Sequence, residues 1–200
     1  MEVSGTRYNS EGEGVYIKVM LIGLIAKKQS GKGVMANHLV GAYGYIKYSF
    51  ASPMKEMSKI LFNWTEQYVN GDLKEVIDDR WGISPRQFLQ FFGSDIMQFS
   101  LPNKFPEYKM KRNHWVQLFN MWYQNHQKEN IVIDDCRFIH EIDYIKKNNG
   151  ITIRIIRPNL NNIDQHISEM ELEQIQTDYN VINDSTIENF YEKIDNLNLF

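Results

Sequence analysis

Residues 19–33 read VMLIGLIAKKQSGKG, and this stretch decides the fold. Its first part, Val19–Ile25, is a short apolar run typical of a buried strand, and a helical pattern follows over Val34–Val40. Between them, the tripeptide Ser30–Lys32 can surround phosphate with backbone N–H groups and place a lysine charge beside it. The stretch therefore predicts a strand, a polyphosphate-binding loop and a helix, as in a nucleotide-dependent phosphotransferase.

The loop departs from the common pattern G-x-x-x-x-G-K-[ST] at two positions. Ala26 stands where the pattern has its first glycine, and Gly33 stands where it has the hydroxyl residue that contacts magnesium. The match is therefore degenerate, although the strand before it and the helix after it supply the expected context. The loop sequence therefore leaves open the alternative that the protein binds a nucleotide without transferring its phosphate.

Composition limits the classes of protein that need to be considered. The 200-residue chain is 42% hydrophobic and 24% charged, which is ordinary for one globular domain. Its net charge of −3 gives no general reason to expect polymeric nucleic acid or a membrane as a partner. Cys136 is its only cysteine, which excludes an internal disulfide, and no apolar run reaches the roughly 18 residues of a membrane helix. We therefore expect a cytoplasmic protein.

Five short apolar runs, rich in β-branched or aromatic residues, predict strands at Val19–Ile25, Ile46–Phe50, Ile131–Ile133, Ile151–Ile156 and Tyr179–Ile182. Helical patterns separate these runs. Because alternating strands and helices favour right-handed crossovers, the pattern predicts a three-layer α/β fold with a mostly parallel five-stranded sheet and helices on both faces. We expect one such domain over residues 18–200, preceded by a polar, flexible extension over residues 1–17.

Three of the predicted helices carry start signals. Ser52-Pro53 combines an N-cap residue with proline at the first helical position, Ser84–Gln87 has the form of a capping box, and Ser185–Glu188 opens the last helix. In parallel sheets, ligands bind at the carboxyl ends of the strands. The loops that this rule selects are Ala26–Gly33, Ser52–Lys55, Asp134–Glu141 and Arg157–His166.

Two carboxylates, Asp134 and Asp135, end the third predicted strand. An acid at a strand tip beside a phosphate loop can hold Mg²⁺ directly or through water, and we assign this role to Asp135. Arg137 follows closely and can neutralise the charge of a phosphate in transfer. The alternative for the aspartates is that they cap the helix that follows.

Basic residues between the first and third strands are candidates for binding the phosphate of an acceptor. Lys55, Arg80 and Arg86 lie in this part of the chain, where a nucleotide kinase would bind its monophosphate substrate. A solvated surface charge is the alternative for each of them. The region over about residues 52–115 is therefore predicted to be an acceptor-binding insertion.

The aromatic part of the same region adds candidates for binding a base. Gln90, Gly93 and Ser94 lie at the predicted end of a phenylalanine-rich helix, where glycine permits close backbone approach and an amide can bind a base edge. A simple helix C-cap is the alternative. Trp115 is either a stacking platform for the base or a core residue, as its helical spacing favours.

A lid is predicted over about residues 157–170. It begins with Arg157 and continues through the asparagine-rich stretch Asn159–Asn162. Arginines of such a lid close on ATP and exclude water, which limits wasteful hydrolysis in a kinase. A solvated loop is the alternative.

Eight segments resemble, in order and spacing, the phage-type deoxynucleoside monophosphate kinases, which are relatives of dephospho-CoA kinase. They are IAKKQSGKG, FASPMKEM, RQFLQFFGSD, HWVQLF, IDDCRFIHE, IRIIRP, DQHISE and NVINDSTIENF. The similarity spans roughly Val19–Ile194. It implies a P-loop kinase fold that transfers the γ-phosphate of ATP to a deoxynucleoside monophosphate, with Mg²⁺, for the synthesis of DNA precursors.

With the residues singled out above, the resemblance implies three functional sets. The ATP phosphates are contacted by Lys28, Gln29, Ser30, Gly31, Lys32, Gly33 and Arg157. The deoxynucleoside monophosphate is bound by Lys55, Arg80, Arg86, Gln90, Gly93, Ser94, Trp115, Arg137 and Glu141. Catalysis falls to Lys32, Arg137 and Asp135, with Asp135 as the metal ligand.

Two other functions stay open on the sequence. A phosphomevalonate-type kinase shares a K-x-x-S-G-K loop and a D-x-R strand end, and a catalytically degenerate nucleotide-binding protein would explain Ala26 and Gly33. The resemblance does not assign the acceptor base. It is consistent with a viral protein acting in the host cytoplasm, and it allows a homodimer.

Overall fold

The computed structural model describes residues 4–8, 14–18, 20–158, 172 and 174–200. They form two compact units. The first, which we name the sheet unit, consists of the described residues of Met1–Ser49 and Asn120–Phe200. The second, the inserted unit, is Phe50–Phe119.

All strands of the described residues belong to the sheet unit. In chain order they are β1 (Ser4–Tyr8), β2 (Gly14–Lys18), β3 (Leu21–Ile25), β4 (Ile46–Tyr48), β5 (Ile131–Cys136), β6 (Ile151–Ile156) and β7 (Tyr179–Ile182). The last five form one sheet in the order β4-β5-β3-β6-β7, and every neighbouring pair is parallel. The predicted parallel sheet is therefore confirmed, and the carboxyl ends of its strands share one edge.

The strand bounds differ from the prediction at two places near that edge. The prediction for β4 was two residues too long, since the strand ends at Tyr48, and β5 continues three residues further, to Cys136. Strands β6 and β7 have the predicted bounds. The additional pair of β1 and β2 is antiparallel and lies within residues 4–18. The sequence predicted only a flexible extension there, because the pair lacks a clear alternation of apolar and polar residues.

The helices of the described residues lie in both units. In chain order the α-helices that lie wholly within the described residues are α1 (Lys32–Tyr43), α2 (Ser52–Phe62), α3 (Glu66–Val69), α4 (Pro85–Gln90), α5 (Leu101–Lys104), α6 (His114–Tyr123), α7 (Ile139–Lys147) and α8 (Ile187–Asp195). A π-helix, Phe91–Ser100, continues α4 without a break. Within the described residues, no helix is both long and apolar enough to cross a membrane.

Helices cover both faces of the sheet, as the sequence predicts. On one face, Ile22 and Leu24 of β3 are fully buried in a core that contains Met35 of α1 and Phe190 of α8. Each such side chain contributes about 1.5 to 3 kcal/mol by its burial. On the other face, Ile145 of α7 packs closely against Gly23 of β3. An added Cβ on Gly23 would lie 2.5 Å from Cδ1 of Ile145. The sheet is thus the middle of three layers.

The inserted unit is built on short helices and aromatic contacts. Phe62 stacks on Trp64 with ring centroids 4.3 Å apart, and Phe88 meets Phe62 edge to face at 4.6 Å. The predicted capping box at the start of α4 is confirmed. The Gln87 N–H donates to Ser84 Oγ at 3.2 Å, and the Ser84 N–H donates to Gln87 Oε1 at 2.8 Å.

The other two start signals were less exact. Helix α2 begins at Ser52 itself, and its N-cap is Ala51, so Ser52 does not cap it. Helix α8 is capped by Thr186, whose Oγ1 accepts from the Asn189 N–H at 3.3 Å. Both helices start within one residue of the predicted position.

Candidate active site

The loop between β3 and α1 is turned by two residues with positive φ. Gln29 has a φ of 63° and Gly31 a φ of 104°. An added Cβ on Gly31 would lie 2.6 Å from Nδ2 of Asn183, a residue that follows β7. The Asn183 amide also donates to the carbonyl of Ser30 at 3.0 Å. Backbone conformation and packing therefore both require glycine at position 31.

Lys32 is the first residue of α1, and its ammonium lies across the loop. It donates to the carbonyl oxygen of Ala26, and it lies 3.4 Å from that of Lys27. The N-terminus of a helix attracts anions through its unpaired N–H groups and the helix dipole. An anion held by the loop would thus meet a lysine charge and the N-terminus of a 12-residue helix.

Arg157 reaches the same loop from the end of β6. Its Nη1 donates to the carbonyl oxygen of Gln29 at 3.2 Å. The structure therefore brings together two of the three cations that were predicted to bind the ATP phosphates, Lys32 and Arg157, at one loop. The rest of the predicted lid, from residue 159 to 170, lies outside the described residues.

Asp135 is the last residue but one of β5, at the edge of the sheet from which the loop begins. Neighbouring Cys136 pairs with Ile25, the last residue before the loop. Asp135 Oδ2 accepts a hydrogen bond of 2.6 Å from Oγ of Ser49, which follows β4. Burial and the nearby Asp135 charge raise the pKa of Tyr48 to about 12. The N-cap of α7 is Phe138, so the alternative in which an aspartate caps this helix is wrong.

Glu141 fixes the chain segment that carries Arg137. Its buried Oε2 accepts from the Arg137 N–H at 2.7 Å and from the Phe138 N–H at 3.1 Å. Burial raises the pKa of Glu141 to about 8, and the Asp135 charge adds to this, while the two N–H bonds and the Arg137 charge oppose it. The contacts of Glu141 thus position Arg137 after β5, and binding of substrate by Glu141 stays a prediction.

Three residues of the inserted unit have partly exposed side chains that are suited to binding an acceptor. Lys55 lies in the first half of α2, and Arg86 and Gln90 lie in α4, all with intermediate exposure. Arg86 and Gln90 are four residues apart, so they share one helix face. The partial exposure of these three side chains is compatible with binding of the acceptor, and this role stays a prediction.

Arg80 has a structural partner. Its guanidinium forms a two-pronged contact with the buried Asp78, with Nε 2.9 Å from Oδ1 and Nη2 2.6 Å from Oδ2. The indole N–H of Trp64 donates to the same carboxylate at 2.9 Å. The Arg80 contact holds the pKa of Asp78 well below its usual range. Arg80 therefore stabilises the fold of the inserted unit, and its predicted contact with substrate is not needed to explain its position.

Gly93 and Trp115 contact each other in the interior of the inserted unit. Trp115 is only 7% exposed, and its indole N–H donates to the carbonyl of Gly93 at 2.9 Å. An added Cβ on Gly93 would lie 2.8 Å from Sδ of Met54. Gly93 and Ser94 lie inside the π-helix, so their predicted place at a helix end was wrong. These contacts favour the core role that was the alternative for Trp115.

The family model described as Deoxynucleotide monophosphate kinase matches residues 62–194. A protein of Acanthamoeba polyphaga mimivirus, whose name assigns it provisionally to the same kinases, is 39% identical over 184 residues, which is 88% of this chain and 94% of the relative. The chain belongs to the deoxynucleotide monophosphate kinase family. It therefore phosphorylates deoxynucleoside monophosphates, and ATP is the donor that the family implies.

More distant relatives of this deoxynucleotide monophosphate kinase are phage proteins. The Deoxynucleotide monophosphate kinase of Enterobacteria phage T4 is 28% identical over 140 residues, which is 68% of this chain and 52% of the relative. Among solved structures, Dephospho-CoA kinase from Campylobacter jejuni aligns with a TM-score of 0.46 and 13% identity, covering 88% of this chain and 94% of that chain. A likeness of that size carries no inference about substrate. Membership of the family decides against a phosphomevalonate-type kinase.

Three residues whose contacts or burial stand out in the structure were not singled out from the sequence. Ser49 was hidden because the predicted β4 ran past it, and Asn183 follows β7, a strand end that was not selected. The signal was available for both, since each directly follows a strand of a parallel sheet. Gln98 in the π-helix is 2% exposed, and its Oε1 has no hydrogen-bond partner among the described residues. The position of Gln98 in the sequence gives no signal that its side chain is buried.

Proposed function

We propose that the sheet unit binds ATP and that the inserted unit binds the deoxynucleoside monophosphate that receives the γ-phosphate. The observation that carries the first part is the convergence of Lys32, Arg157 and the N-terminus of α1 on one loop. Phosphoryl transfer depends mainly on positioning and on neutralising charge. These groups supply positive charge and N–H donors, which are what a polyphosphate requires.

Within the sheet unit, each catalytic residue has one task. Lys32 places its ammonium on the transferring phosphate, and Arg137 neutralises the charge that develops there. Glu141 holds the main chain at Arg137 and Phe138 by accepting one hydrogen bond from each N–H, which limits the positions that the guanidinium can reach. Lys28, Gln29, Ser30, Gly31 and Gly33 shape the loop around the phosphates.

The donor groups at Asp135 fit Mg²⁺. Among the described residues, no group of three or more histidines, cysteines, aspartates or glutamates could hold a metal ion. Magnesium does not require such a group, because it keeps several waters and binds through one or two carboxylates together with substrate phosphates. Asp135 at the strand tip supplies a carboxylate of this kind. When bound, Mg²⁺ would supply Lewis-acid neutralisation of the phosphate oxygens.

The proposed acceptor residues of the inserted unit fall into two groups. Lys55, Arg86, Gln90 and Ser94 contact the nucleotide, with the cations on its phosphate and the amide on its base. Arg80, Gly93 and Trp115 act by maintaining the unit that carries them, as their contacts with Asp78, Met54 and one another indicate. Assembly as a homodimer stays a prediction.

The function is tested by Mg²⁺-dependent formation of ADP from ATP with each of the four deoxynucleoside monophosphates. We expect activity with one or more of them, and a loss of about 1,000-fold or more in Lys32→Ala with an unchanged melting temperature. Lys27→Ala is the matched control, because Lys27 is exposed in the same loop and its side chain has no assigned role. Lys32→Ala with the activity of the control would contradict the proposal.

A further inference from the structure

We propose that Ser49 supplies, toward Mg²⁺, the hydroxyl group that the phosphate loop lacks at Gly33. The inference rests on the proposed function, since it assumes that the sheet unit binds ATP with magnesium. It concerns a residue outside the loop and outside all of the sequence-predicted sets. Three observations on the sheet unit support it.

The first observation is the position of Ser49. It directly follows β4, whose neighbour in the sheet is β5, and Tyr48 pairs with Ile133 two residues before Asp135. The Ser49 hydroxyl and the Asp135 carboxylate therefore lie at the carboxyl edge of the sheet, where the phosphate loop also begins. Ser49 is partly exposed, so its oxygen is not enclosed in the core.

The second observation is the direction of the hydrogen bond. Ser49 Oγ donates its proton to Asp135 Oδ2 over 2.6 Å. A hydroxyl that donates to a carboxylate keeps its oxygen lone pairs for a cation. In P-loop enzymes with the complete pattern, the loop hydroxyl and a strand-tip aspartate hold magnesium jointly. The same two chemical groups occur here, with the hydroxyl provided by the end of β4.

The third observation is that sterics do not explain glycine at position 33. An added Cβ there would meet nothing within 4 Å, and the residue does not have the positive φ found at Gly31. Contact at Cβ therefore does not exclude a threonine at the second position of α1. The loop lacks a hydroxyl that its geometry permits, which is expected if another residue supplies it.

The test uses the full chain and measures binding of Mn²⁺, a spectroscopic substitute for Mg²⁺, in the presence of ADP by electron paramagnetic resonance. We expect Ser49→Ala to weaken Mn²⁺ binding about tenfold, as changes around a metal site commonly do. ADP affinity without metal and the melting temperature should stay unchanged. Ser49→Thr keeps the hydroxyl and should bind Mn²⁺ like the unaltered chain.

Restoring the loop hydroxyl completes the test. Adding Gly33→Thr to Ser49→Ala should recover Mn²⁺ binding, because threonine then supplies the usual loop ligand. Equal Mn²⁺ affinity of the Ser49→Ala variant and the unaltered chain would overturn the inference, and so would a double variant that stays weak. If the unaltered chain does not bind ADP, or binds it independently of Lys32, the proposed function itself fails.

Discussion

The sheet unit and the inserted unit differ in what holds their predicted site residues. In the sheet unit, Lys32 and Arg157 contact loop carbonyls, and Asp135 accepts from a neighbouring strand end, so the main chain of the parallel sheet places these groups. In the inserted unit, Arg80 contacts Asp78 and Trp115 contacts Gly93, so side-chain packing uses the residues that were predicted to bind substrate.

The difference shows where a sequence pattern specifies a site. A strand, a loop and a helix in succession fix the position of a loop lysine within a few residues, because the edge of a parallel sheet is common to all its strands. Short helices joined by loops have no such shared edge. Their functional residues depend on tertiary contacts that spacing does not reveal, and the predictions below test this contrast.

The largest expected effect concerns a packing residue of the inserted unit. Trp115→Ala removes a buried indole and leaves the Gly93 carbonyl without its donor, so the free energy of unfolding should fall by about 3 to 5 kcal/mol. Thermal or denaturant unfolding measures this. Trp81→Ala is the matched control, since Trp81 also donates to a main-chain carbonyl but is 48% exposed, and it should cost less than half as much. An unchanged stability with a raised KM for the acceptor would instead favour stacking on the base.

The next effect depends on pH and concerns Glu141 of the sheet unit. Its pKa is raised by burial from the ordinary value of 4.5 to about 8, so between these values the unfolded chain has lost the proton that the folded chain keeps. Stability contributed by this protonated group is therefore lost as the pH rises through the window. Glu141→Gln keeps an acceptor oxygen and has no proton to lose. Its stability relative to the unaltered chain should rise by on the order of 4 kcal/mol from pH 5 to pH 8.5.

Unfolding of both proteins across this pH range gives the comparison directly. A stability difference that does not change with pH would show that Glu141 is ionised in the folded chain. It would also mean that the main chain of Arg137 is held by a carboxylate rather than by a carboxylic acid.

Two neighbouring glycines of the phosphate loop should respond differently to alanine. Gly31→Ala places a Cβ in the left-handed region and 2.6 Å from the Asn183 amide, so we expect a loss of about 1 to 3 kcal/mol of stability and weaker ATP binding. Gly33→Ala lies in a helix with open space around it and should gain up to about 1 kcal/mol. Unfolding and ATP titration measure both. Equal changes in stability and ATP affinity for the two variants would contradict the view that backbone geometry determines which loop position requires glycine.

The smallest expected effect concerns Gln98 of the inserted unit. A buried oxygen without a hydrogen-bond partner costs free energy, so Gln98→Met should raise the free energy of unfolding by about 1 kcal/mol. The same change at the exposed Gln124 should stay within about 0.5 kcal/mol. A destabilised Gln98→Met variant would show that this oxygen has a partner in solution.

The sequence predicted the sheet well for physical reasons. Apolar β-branched runs identify strands such as Ile151–Ile156, and local capping chemistry identifies the start of α4. The π-helix Phe91–Ser100 was not predictable, because its i to i+5 hydrogen bonds have no distinct sequence period. Ser49 was missed through an error of two residues in one strand, which placed this residue of the proposed magnesium site inside the predicted strand.

The central claim is that the two units bind different substrates, and a crossed kinetic measurement tests it most directly. KM values for ATP and for the preferred deoxynucleoside monophosphate should be determined for Arg157→Ala of the sheet unit and Arg86→Ala of the inserted unit. Because each removes a charged hydrogen bond, we expect Arg157→Ala to raise only the KM for ATP and Arg86→Ala only that for the acceptor, by about tenfold each. Both variants raising the same KM, or neither raising either, would contradict the claim.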